Sequence, residues 1–274
     1  MRLDAVAGYR VLVMGDAIYD CYKFCTALGK SIKETVISVK YENEETYKGG
    51  VWAGASHLKD LCAQVDVFHG DRVWTNTRFL EAIYKRKLFT LHSAKDEDDG
   101  IMPEISSYDL VIVCDFGHGT MTKDLIEKVS KEARFLAVNA QTNSQNFGFN
   151  LITKYPRANY VVLDELEARL ATHDNHSPIE DIILKLGYRK IVITLGAHGA
   201  VGFDREFYRE IAQDVRIVDT MGAGDAALCV SAPFAAARFD IKDLVHIANV
   251  AGAIKVGMLG HRSHVTKSEL EKHL

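Results

Sequence analysis

Phosphoryl transfer is the chemistry that best suits the segment 219–225, whose sequence is DTMGAGD. Its glycines, Gly222 and Gly224, allow the backbone to approach a ligand closely, and the free N–H groups at the start of the following helix form an anion hole. Asp225 would lie beside this hole, where a carboxylate can accept the proton of an attacking hydroxyl group. We therefore predict that Asp225 is a general base and that the amides of Gly222, Ala223 and Gly224 bind the transferred group. The simpler alternative is a tight turn followed by an aspartate that the helix dipole favours.

The elements around this segment indicate how it is held. The run Val215 to Val218 predicts a strand before it, and the apolar stretch Ala226 to Ala237 predicts a helix after it. Further short runs rich in β-branched residues alternate with amphipathic segments such as Thr122 to Glu132 and Pro178 to Leu186. These runs are Tyr9 to Met14, Leu110 to Cys114, Phe135 to Val138, Tyr160 to Leu163 and Lys190 to Thr194. Strands that alternate with helices predict an α/β fold, a doubly wound and mostly parallel sheet flanked by helices.

Two segments break this alternation and predict a second, smaller sheet. Polar and apolar residues alternate in Glu34 to Tyr47 and in Arg86 to His92, and no crossover helix follows the first of these segments. We expect a small β-sheet lid formed by about 31–48 and 72–95. A lid near the carboxyl ends of the main strands would cover a ligand bound there.

Composition and charge exclude several classes of function. The chain has 33 Lys and Arg residues against 37 Asp and Glu residues, a net charge of -4, and it lacks the strongly basic stretch that nucleic acid requires. The longest apolar segment is broken by Ser231 and Pro233 and is shorter than the roughly 20 residues of a membrane helix. The first residues lack the apolar core of a signal peptide. We therefore expect no nucleic acid partner, no membrane contact and a cytoplasmic location.

The cysteines predict reduced, structural thiols. Their number is five, without a C-x-x-C motif, and Cys114 and Cys229 lie in apolar runs. Cys21 and Cys25 are four residues apart and could share a helix face, but two thiolates alone form an incomplete metal site. The same argument applies to the histidine pairs at 173 and 176 and at 261 and 264.

The segment 219–225 resembles the D-T-x-G-A-G-D signature of the ribokinase-like (PfkB) carbohydrate kinases, and further motifs follow in the order that this family uses. The resemblance implies that residues 1–274 form one ribokinase-like kinase domain. It implies phosphoryl transfer from ATP, with Mg²⁺, to a hydroxyl group of a sugar or sugar phosphate. It also implies activation by K⁺ with Asp219 at the cation site, and dimer formation through the edges of the lid strands.

Contacts with the acceptor sugar are implied near the first strand and near the lid. The residues that match the family here are Asp16, Asp20, Gly49 and Gly50. Ordinary turn chemistry is the alternative for each of them. Arg78, together with the basic run 85–87, would neutralise a phosphate already present on the sugar, although solvated basic residues are also typical of an edge strand.

Contacts with the nucleotide and its metal are implied later in the chain. The residues that match the nucleotide-binding positions are Thr194, Gly196, Gly199, Thr220 and Asn249. The segment 164–167 resembles the family's N-x-x-E motif, which organises Mg²⁺ and phosphate. Glu167 matches this motif, whereas Asp164 replaces the usual Asn and adds negative charge near the phosphates. An acidic helix start is the alternative.

Within the family, four stretches resemble heptose-phosphate kinases that work with an NDP-sugar nucleotidyltransferase. They are residues 15–22, 31–40, 77–87 and 115–120. This resemblance implies a heptose 7-phosphate acceptor. No H-x-G-H nucleotidyltransferase signature is found in these residues, so that activity is expected either on a separate chain or in a longer protein of which this chain is a fragment. Departures from the family pattern at Ala53 and Gly54, at Asn139 and Ala140, and at His118 leave the sugar undefined.

Two other functions remain open on the sequence alone. The altered residues Asp164, Ala53 and Gly54 would suit a catalytically silent ribokinase-like protein that binds a sugar phosphate or a partner protein. A dinucleotide-dependent oxidoreductase is disfavoured because no G-x-G-x-x-G follows the first strand, and a Walker-type loop is missing as well.

Overall fold

An eight-stranded sheet forms the centre of the protein in the computed structural model, which describes residues 3–97 and 101–274. Its strands are β1 (Arg10–Gly15), β4 (Gln64–Phe68), β7 (Leu110–Asp115), β8 (Leu136–Ala140), β9 (Tyr160–Asp164), β10 (Ile191–Thr194), β11 (Ala200–Asp204) and β12 (Glu206–Glu210). Their order is β12-β11-β10-β9-β8-β7-β1-β4. In this order, each pair of neighbours between β10 and β4 is parallel. At the other edge, β11 pairs antiparallel with both β10 and β12. The predicted α/β fold with a mostly parallel sheet is confirmed.

Helices cover both faces of this sheet. They are α1 (Val51–Ser56), α2 (Lys123–Glu132), α3 (Glu165–Thr172), α4 (Ile179–Leu186), α5 (Ala223–Ala236), α6 (Ile241–Val256) and α7 (Lys267–Glu271). Alternate residues of β1 enter different cores: Val11 and Val13 belong to the core that contains residues of α1, α5 and α6, whereas Leu12 and Met14 belong to the core that contains residues of α2, α3 and α4. A strand buried on both faces must be apolar throughout, which is why such runs were recognisable in the sequence.

A second sheet of four strands packs beside the main one. Its strands are β2 (Ala17–Lys30), β3 (Ile37–Gly50), β5 (Arg72–Glu81) and β6 (Lys87–Asp96), in the order β3-β2-β5-β6. The segments predicted to form a small sheet lie in β3, β5 and β6, whereas β2 was not predicted. The helix face suggested for Cys21 and Cys25 is wrong because both residues belong to β2. All five cysteines are free and buried, as expected of structural thiols.

The strand predicted for Val215 to Val218 is also wrong. Residues 211–217 have no regular secondary structure, and Val215, Ile217 and Val218 remain exposed. The end of this segment instead lies against the last residue of α6: the amides of Val218 and Asp219 donate to the carbonyl of Val256 at 2.8 and 3.1 Å. Its apolar residues therefore have no sheet partner.

The parallel strands place their carboxyl ends at one edge of the main sheet. Asp16, the loop 116–120 and Gln141 directly follow β1, β7 and β8, and Asp164 is the last residue of β9. Ligands of open α/β sheets bind outside these carboxyl ends. In the described ranges, no helix combines the length and the apolar character that crossing a membrane requires.

Candidate active site

Two cavities at the carboxyl edge of the main sheet meet at Asp225. The larger cavity, of about 670 Å³, extends from the start of α3 to the start of α5. The smaller cavity, of about 230 Å³, lies between the two sheets. Gln141, Gly222 and Asp225 line both cavities, so that one carboxylate is available to ligands in each of them.

The surroundings of Asp225 make its carboxylate a stronger proton acceptor than an ordinary aspartate. The side chain is buried, and Nε2 of Gln141 donates a hydrogen bond to its Oδ1 at 2.5 Å. Burial raises the pKa of Asp225 to about 6, while the charges of His261 and Lys255 and the bond from Gln141 oppose this rise. The group is therefore ionised at neutral pH with a pKa close to the working range of a general base.

The glycine turn before α5 leaves amide groups free for an anion. Gly222 is the N-cap of α5 with a φ of 77°, and a Cβ at this position would lie 3.1 Å from both Cε1 of His261 and Cε of Lys255. The amide of Ala223 makes one long bond, of 3.4 Å, to the carbonyl of Thr220. Within the described part of the chain, the amides of Gly222, Gly224 and Asp225 have no acceptor. These N–H groups lie at the positive end of a 14-residue helix, as an anion hole requires.

Asp219 holds this turn in place instead of lining the larger cavity. Its Oδ1 accepts a hydrogen bond from the amide of Met221, and its Oδ2 accepts one from the amide of Gly260, both at 3.1 Å. The carboxylate thus ties the start of the signature segment to the loop that follows α6.

An acidic pair lies at the other end of the larger cavity. Asp164 is the N-cap of α3 and forms a capping box with Glu167, whose carboxylate also accepts from the amide of Thr142 at 3.2 Å. Burial and the charge of Asp164 raise the pKa of Glu167 to about 8. The buried Oδ1 of Asn139, in the same cavity wall, has no partner among the residues that the structure describes.

These residues fit Mg²⁺ in the presence of a nucleotide. Residues 3–97 and 101–274 contain no group of three or more His, Cys, Asp or Glu side chains that could hold a metal ion alone. Mg²⁺, however, typically uses one or two protein carboxylates and takes its other ligands from water and phosphate. Asp164 and Glu167 can supply that share, and Asn139 Oδ1 offers an unused oxygen nearby.

Of the residues predicted to bind the nucleotide, the larger cavity contains three. Thr194, Gly196 and Thr220 line it, whereas Gly199 and Asn249 do not. Nδ2 of Asn249 donates to the carbonyl of Ile211 at 2.6 Å, and Gly199 allows the end of β12 to approach closely. In the structure, Gly199 and Asn249 therefore contact the end of β12 and the residue after it, and they stabilise this edge of the main sheet.

Asp20 and Arg78, which the resemblance implied as acceptor contacts, both line the smaller cavity. The carboxylate of Asp20 is paired with Arg78 and lies 3.2 Å from Nε2 of His261. Against the effect of burial, the hydrogen bond from His261 and the charge of Arg78 hold the pKa of Asp20 below its ordinary value. The predicted basic cluster is not assembled, because Lys85 and Lys87 line a different cavity of about 420 Å³.

The three other residues predicted to contact the acceptor, Asp16, Gly49 and Gly50, support the local backbone. Gly49 and Gly50 lack a Cβ where one would overlap Asp20 Oδ2 and the backbone oxygen of Asp16, respectively, and Gly50 has a φ of 57°. Gly50 lines the smaller cavity, but Asp16 lines neither cavity. The Asp16 carboxylate accepts three backbone hydrogen bonds from the loop 116–120.

Sequence reasoning missed Gln141, His261 and Lys255. Gln141 directly follows Asn139 and Ala140, the point where the chain departs from the family pattern. His261 belongs to a histidine pair that was considered only as an incomplete metal site. Lys255 gave no sequence signal, because a lysine in the last turn of a helix is common.

The sequence of this chain is similar to a known protein family and to curated proteins. The model of the pfkB family carbohydrate kinases matches residues 91–267. A curated relative, the bifunctional protein HldE of Campylobacter fetus subsp. fetus, is 23% identical over 91% of this chain and 63% of its own length. The bifunctional protein HldE of Desulfatibacillum aliphaticivorans is 29% identical over 62% of this chain and 36% of its own length. This chain thus spans less than two thirds of the length of these curated relatives.

Solved structures show the same fold. Ribokinase from Thermotoga maritima superposes with a TM-score of 0.74 at 15% identity, covering 97% of this chain and 99% of that chain. Arabidopsis thaliana ribokinase complexed with ribose and ATP superposes with a TM-score of 0.68 at 15% identity, covering 97% and 98%. The ribokinase-like fold predicted from the sequence is confirmed.

Proposed function

Because this chain belongs to the pfkB family of carbohydrate kinases, we propose that it transfers the γ-phosphoryl group of ATP to a hydroxyl group of a sugar or sugar phosphate. One observation carries this proposal: a buried carboxylate and a set of free helix-start amides lie where two cavities meet. The larger cavity suits a nucleotide and the smaller one suits an acceptor. An in-line transfer between them would pass the γ-phosphoryl group directly by Asp225 and the start of α5.

The residues that line the two cavities have separate roles in the proposed transfer. In the smaller cavity, Asp20 and Arg78 bind the hydroxyl groups of the acceptor and orient one of them toward Asp225. Asp225, held by Gln141, takes the proton of that hydroxyl as it attacks. The free amides at Gly222, Gly224 and Asp225 stabilise the charge on the transferred group.

Asp164 and Glu167 are the residues that would hold Mg²⁺ at the larger cavity. When bound, Mg²⁺ neutralises the charge of the nucleotide phosphates. Thr194, Gly196 and Thr220 contribute small side chains and backbone groups to the same wall and leave room for the nucleotide.

The smaller sheet supports a further part of the proposal. Residues 1–274 would act as one kinase domain in which this sheet closes over the acceptor as a lid. The sheet already supplies a large part of the smaller cavity, through Ile18 and Asp20 of β2, Gly50 of β3, Asn76 and Arg78 of β5, and His92 of β6. Its edge strands β3 and β6 are the surfaces through which we expect two copies to pair.

A heptose 7-phosphate is the acceptor that we propose first. The support is the resemblance of four sequence stretches to heptose-phosphate kinases and the similarity to relatives named as bifunctional. A nucleotidyltransferase that acts on the product would then be the second activity of the same reaction sequence. Activation by K⁺, which the resemblance implies through Asp219, is untested, and the hydrogen bonds that Asp219 already accepts argue against it.

ADP release from Mg-ATP over a panel of sugars and sugar phosphates, heptose 7-phosphates included, tests the proposal. We expect turnover that depends on both the acceptor and Mg²⁺. ATP binding without turnover for any acceptor would contradict a kinase and favour the silent binding protein. Turnover with free sugars but not with heptose 7-phosphates would retain the kinase and remove the proposed acceptor.

The pH dependence of kcat/KM offers a separate prediction. Asp225 must be ionised to accept a proton, so kcat/KM should fall about tenfold per pH unit below about pH 6, where its pKa lies. The charged groups that act on this carboxyl are His261, Lys255 and Asp20. In Gln141→Leu, the loss of the hydrogen bond to the ionised form should move the inflection to higher pH. An unchanged inflection in that variant would show that a different group controls the profile.

A further inference from the structure

A lysine with no exposed surface lies next to the proposed anion hole. Lys255 belongs to the last turn of α6, its relative exposure is 0%, and its Nζ donates to the carbonyl of Gly260. A lysine that merely favours the negative end of a helix keeps its ammonium group in water. Burying a charge in this way is unfavourable unless opposite charge compensates it, so the surroundings of Lys255 should contain that charge.

Two carboxylates supply it. Burial lowers the pKa of Lys255 below its ordinary value, and the charges of Asp219 and Asp225 oppose this effect and favour the ionised ammonium group. Gly222, the N-cap of α5, is also adjacent, since a Cβ there would lie 3.1 Å from Cε of Lys255. The lysine therefore contributes a fixed positive charge behind the turn that carries the free amides.

The same residues do not fit a bound K⁺. A monovalent cation at this turn would need carbonyl and carboxylate oxygens in place of its water ligands. The two oxygens of Asp219 already accept from the amides of Met221 and Gly260, and the carbonyl of Gly260 accepts from Lys255. An alkylammonium group carries the same charge as K⁺ and has a similar size, and here Nζ of Lys255 already donates to one of these oxygens, the carbonyl of Gly260.

We propose that the ammonium group of Lys255 serves as a built-in monovalent cation, so that phosphoryl transfer by this chain needs no added K⁺. This inference rests on the proposed function for its catalytic part. Lys255 acts as a positioning residue: it fixes the loop at Gly260 and, through Asp219, the turn at Gly222. It also adds to the positive potential that stabilises the transferred group.

The test compares rates and melting temperatures in KCl and in choline chloride at equal ionic strength. The unmodified protein should differ by less than about twofold in kcat between the two salts, because equal ionic strength screens charge equally. Lys255→Met fills the space without a charge and should lower kcat by about 10²-fold in both salts. Lys255→Ala leaves room for a cation. Its kcat should therefore be about tenfold higher in KCl than in choline chloride, and its melting temperature should also be higher in KCl.

Lys190→Met is the matched control. Nζ of Lys190 also donates to a backbone carbonyl, that of Phe239 at 3.1 Å, and lies 3.4 Å from an Asp204 oxygen. Lys190 directly precedes β10, however, and so lies at the amino ends of the parallel strands, away from the candidate active site. This variant should keep its kcat and show no difference between the two salts. Salt-specific recovery in Lys255→Ala alone would distinguish a cation site from a general loss of packing.

Three outcomes would overturn the proposal. They are a kcat of the unmodified protein about tenfold or more higher in KCl, a Lys255→Met variant as active as Lys190→Met, and a Lys255→Ala variant indifferent to KCl in both measurements. If no acceptor supports turnover, the proposed function fails, but the melting temperature of Lys255→Ala in the two salts still decides whether the ammonium replaces a cation. If the alanine variant does not fold, the salt comparison on the unmodified protein and Lys255→Met decides.

Discussion

Replacing Asp225 with Asn is expected to lower kcat by about 10³-fold, the usual contribution of a well-placed general base. Asn has the same shape and keeps an oxygen that can accept the hydrogen bond from Gln141, so the protein should remain folded. It cannot take a proton from the acceptor hydroxyl. The measurement is steady-state ADP release with the best acceptor, together with an ATP titration that should be unchanged within about twofold, because Asn keeps the binding groups.

The chain offers a close control for this substitution. Asp243 is the third residue of α6, just as Asp225 is the third residue of α5, so both aspartates are equally placed to interact with a helix dipole. Asp243→Asn should leave kcat unchanged. If Asp225→Asn and Asp243→Asn had similar activity, Asp225 would be an ordinary first-turn residue and the proposed mechanism would be wrong.

Replacing Asp16 with Ala is expected to lower the free energy of unfolding by about 3 kcal/mol, because backbone amides would lose a charged acceptor. The carboxylate is buried. Its Oδ2 accepts from the amides of Phe116 and His118 at 2.9 and 3.2 Å, and its Oδ1 accepts from Thr120 at 3.0 Å. Urea denaturation measures the loss.

Asp174→Ala is the comparison for Asp16. Asp174 also accepts from two backbone amides, those of His176 and Ser177, and it pairs with Lys185, but its carboxylate is only partly buried, so that water can replace the lost acceptor. We expect a smaller loss of stability there. Equal losses at both positions would mean that the loop 116–120 obtains its amide partners from water and does not depend on Asp16.

The main sheet and its helices were predictable because their patterns are local. Strands such as β7 and β9 are uninterrupted apolar runs, and α4 begins and ends within one residue of its predicted bounds. The first of these properties follows from burial on both faces, and the second from a periodic apolar face. The start of α5 was placed three residues too late, because the glycine turn hides the first helical residues.

Interactions between distant residues were not predictable. Whether Arg78 is free to bind a phosphate depends on Asp20, which lies 58 residues earlier in the chain. The strand predicted at Val215 to Val218 failed because β-propensity requires a neighbouring strand, and none borders that segment in the described structure. Likewise, the sequence shows Lys255 only as a lysine in the last turn of a helix. Its hydrogen bond to the carbonyl of Gly260 depends on the path of the loop that follows α6.

The wall shared by the two cavities also bears on wasteful ATP hydrolysis. With nucleotide bound and no sugar present, Asp225 faces a smaller cavity with room for several water molecules. Water is itself an acceptor with an O–H bond, and the same base would activate it. Fidelity in such a kinase depends on how far the empty site keeps a water molecule out of line with the γ-phosphoryl group. The rate of ATP breakdown without sugar, relative to the rate with sugar, measures this discrimination against water.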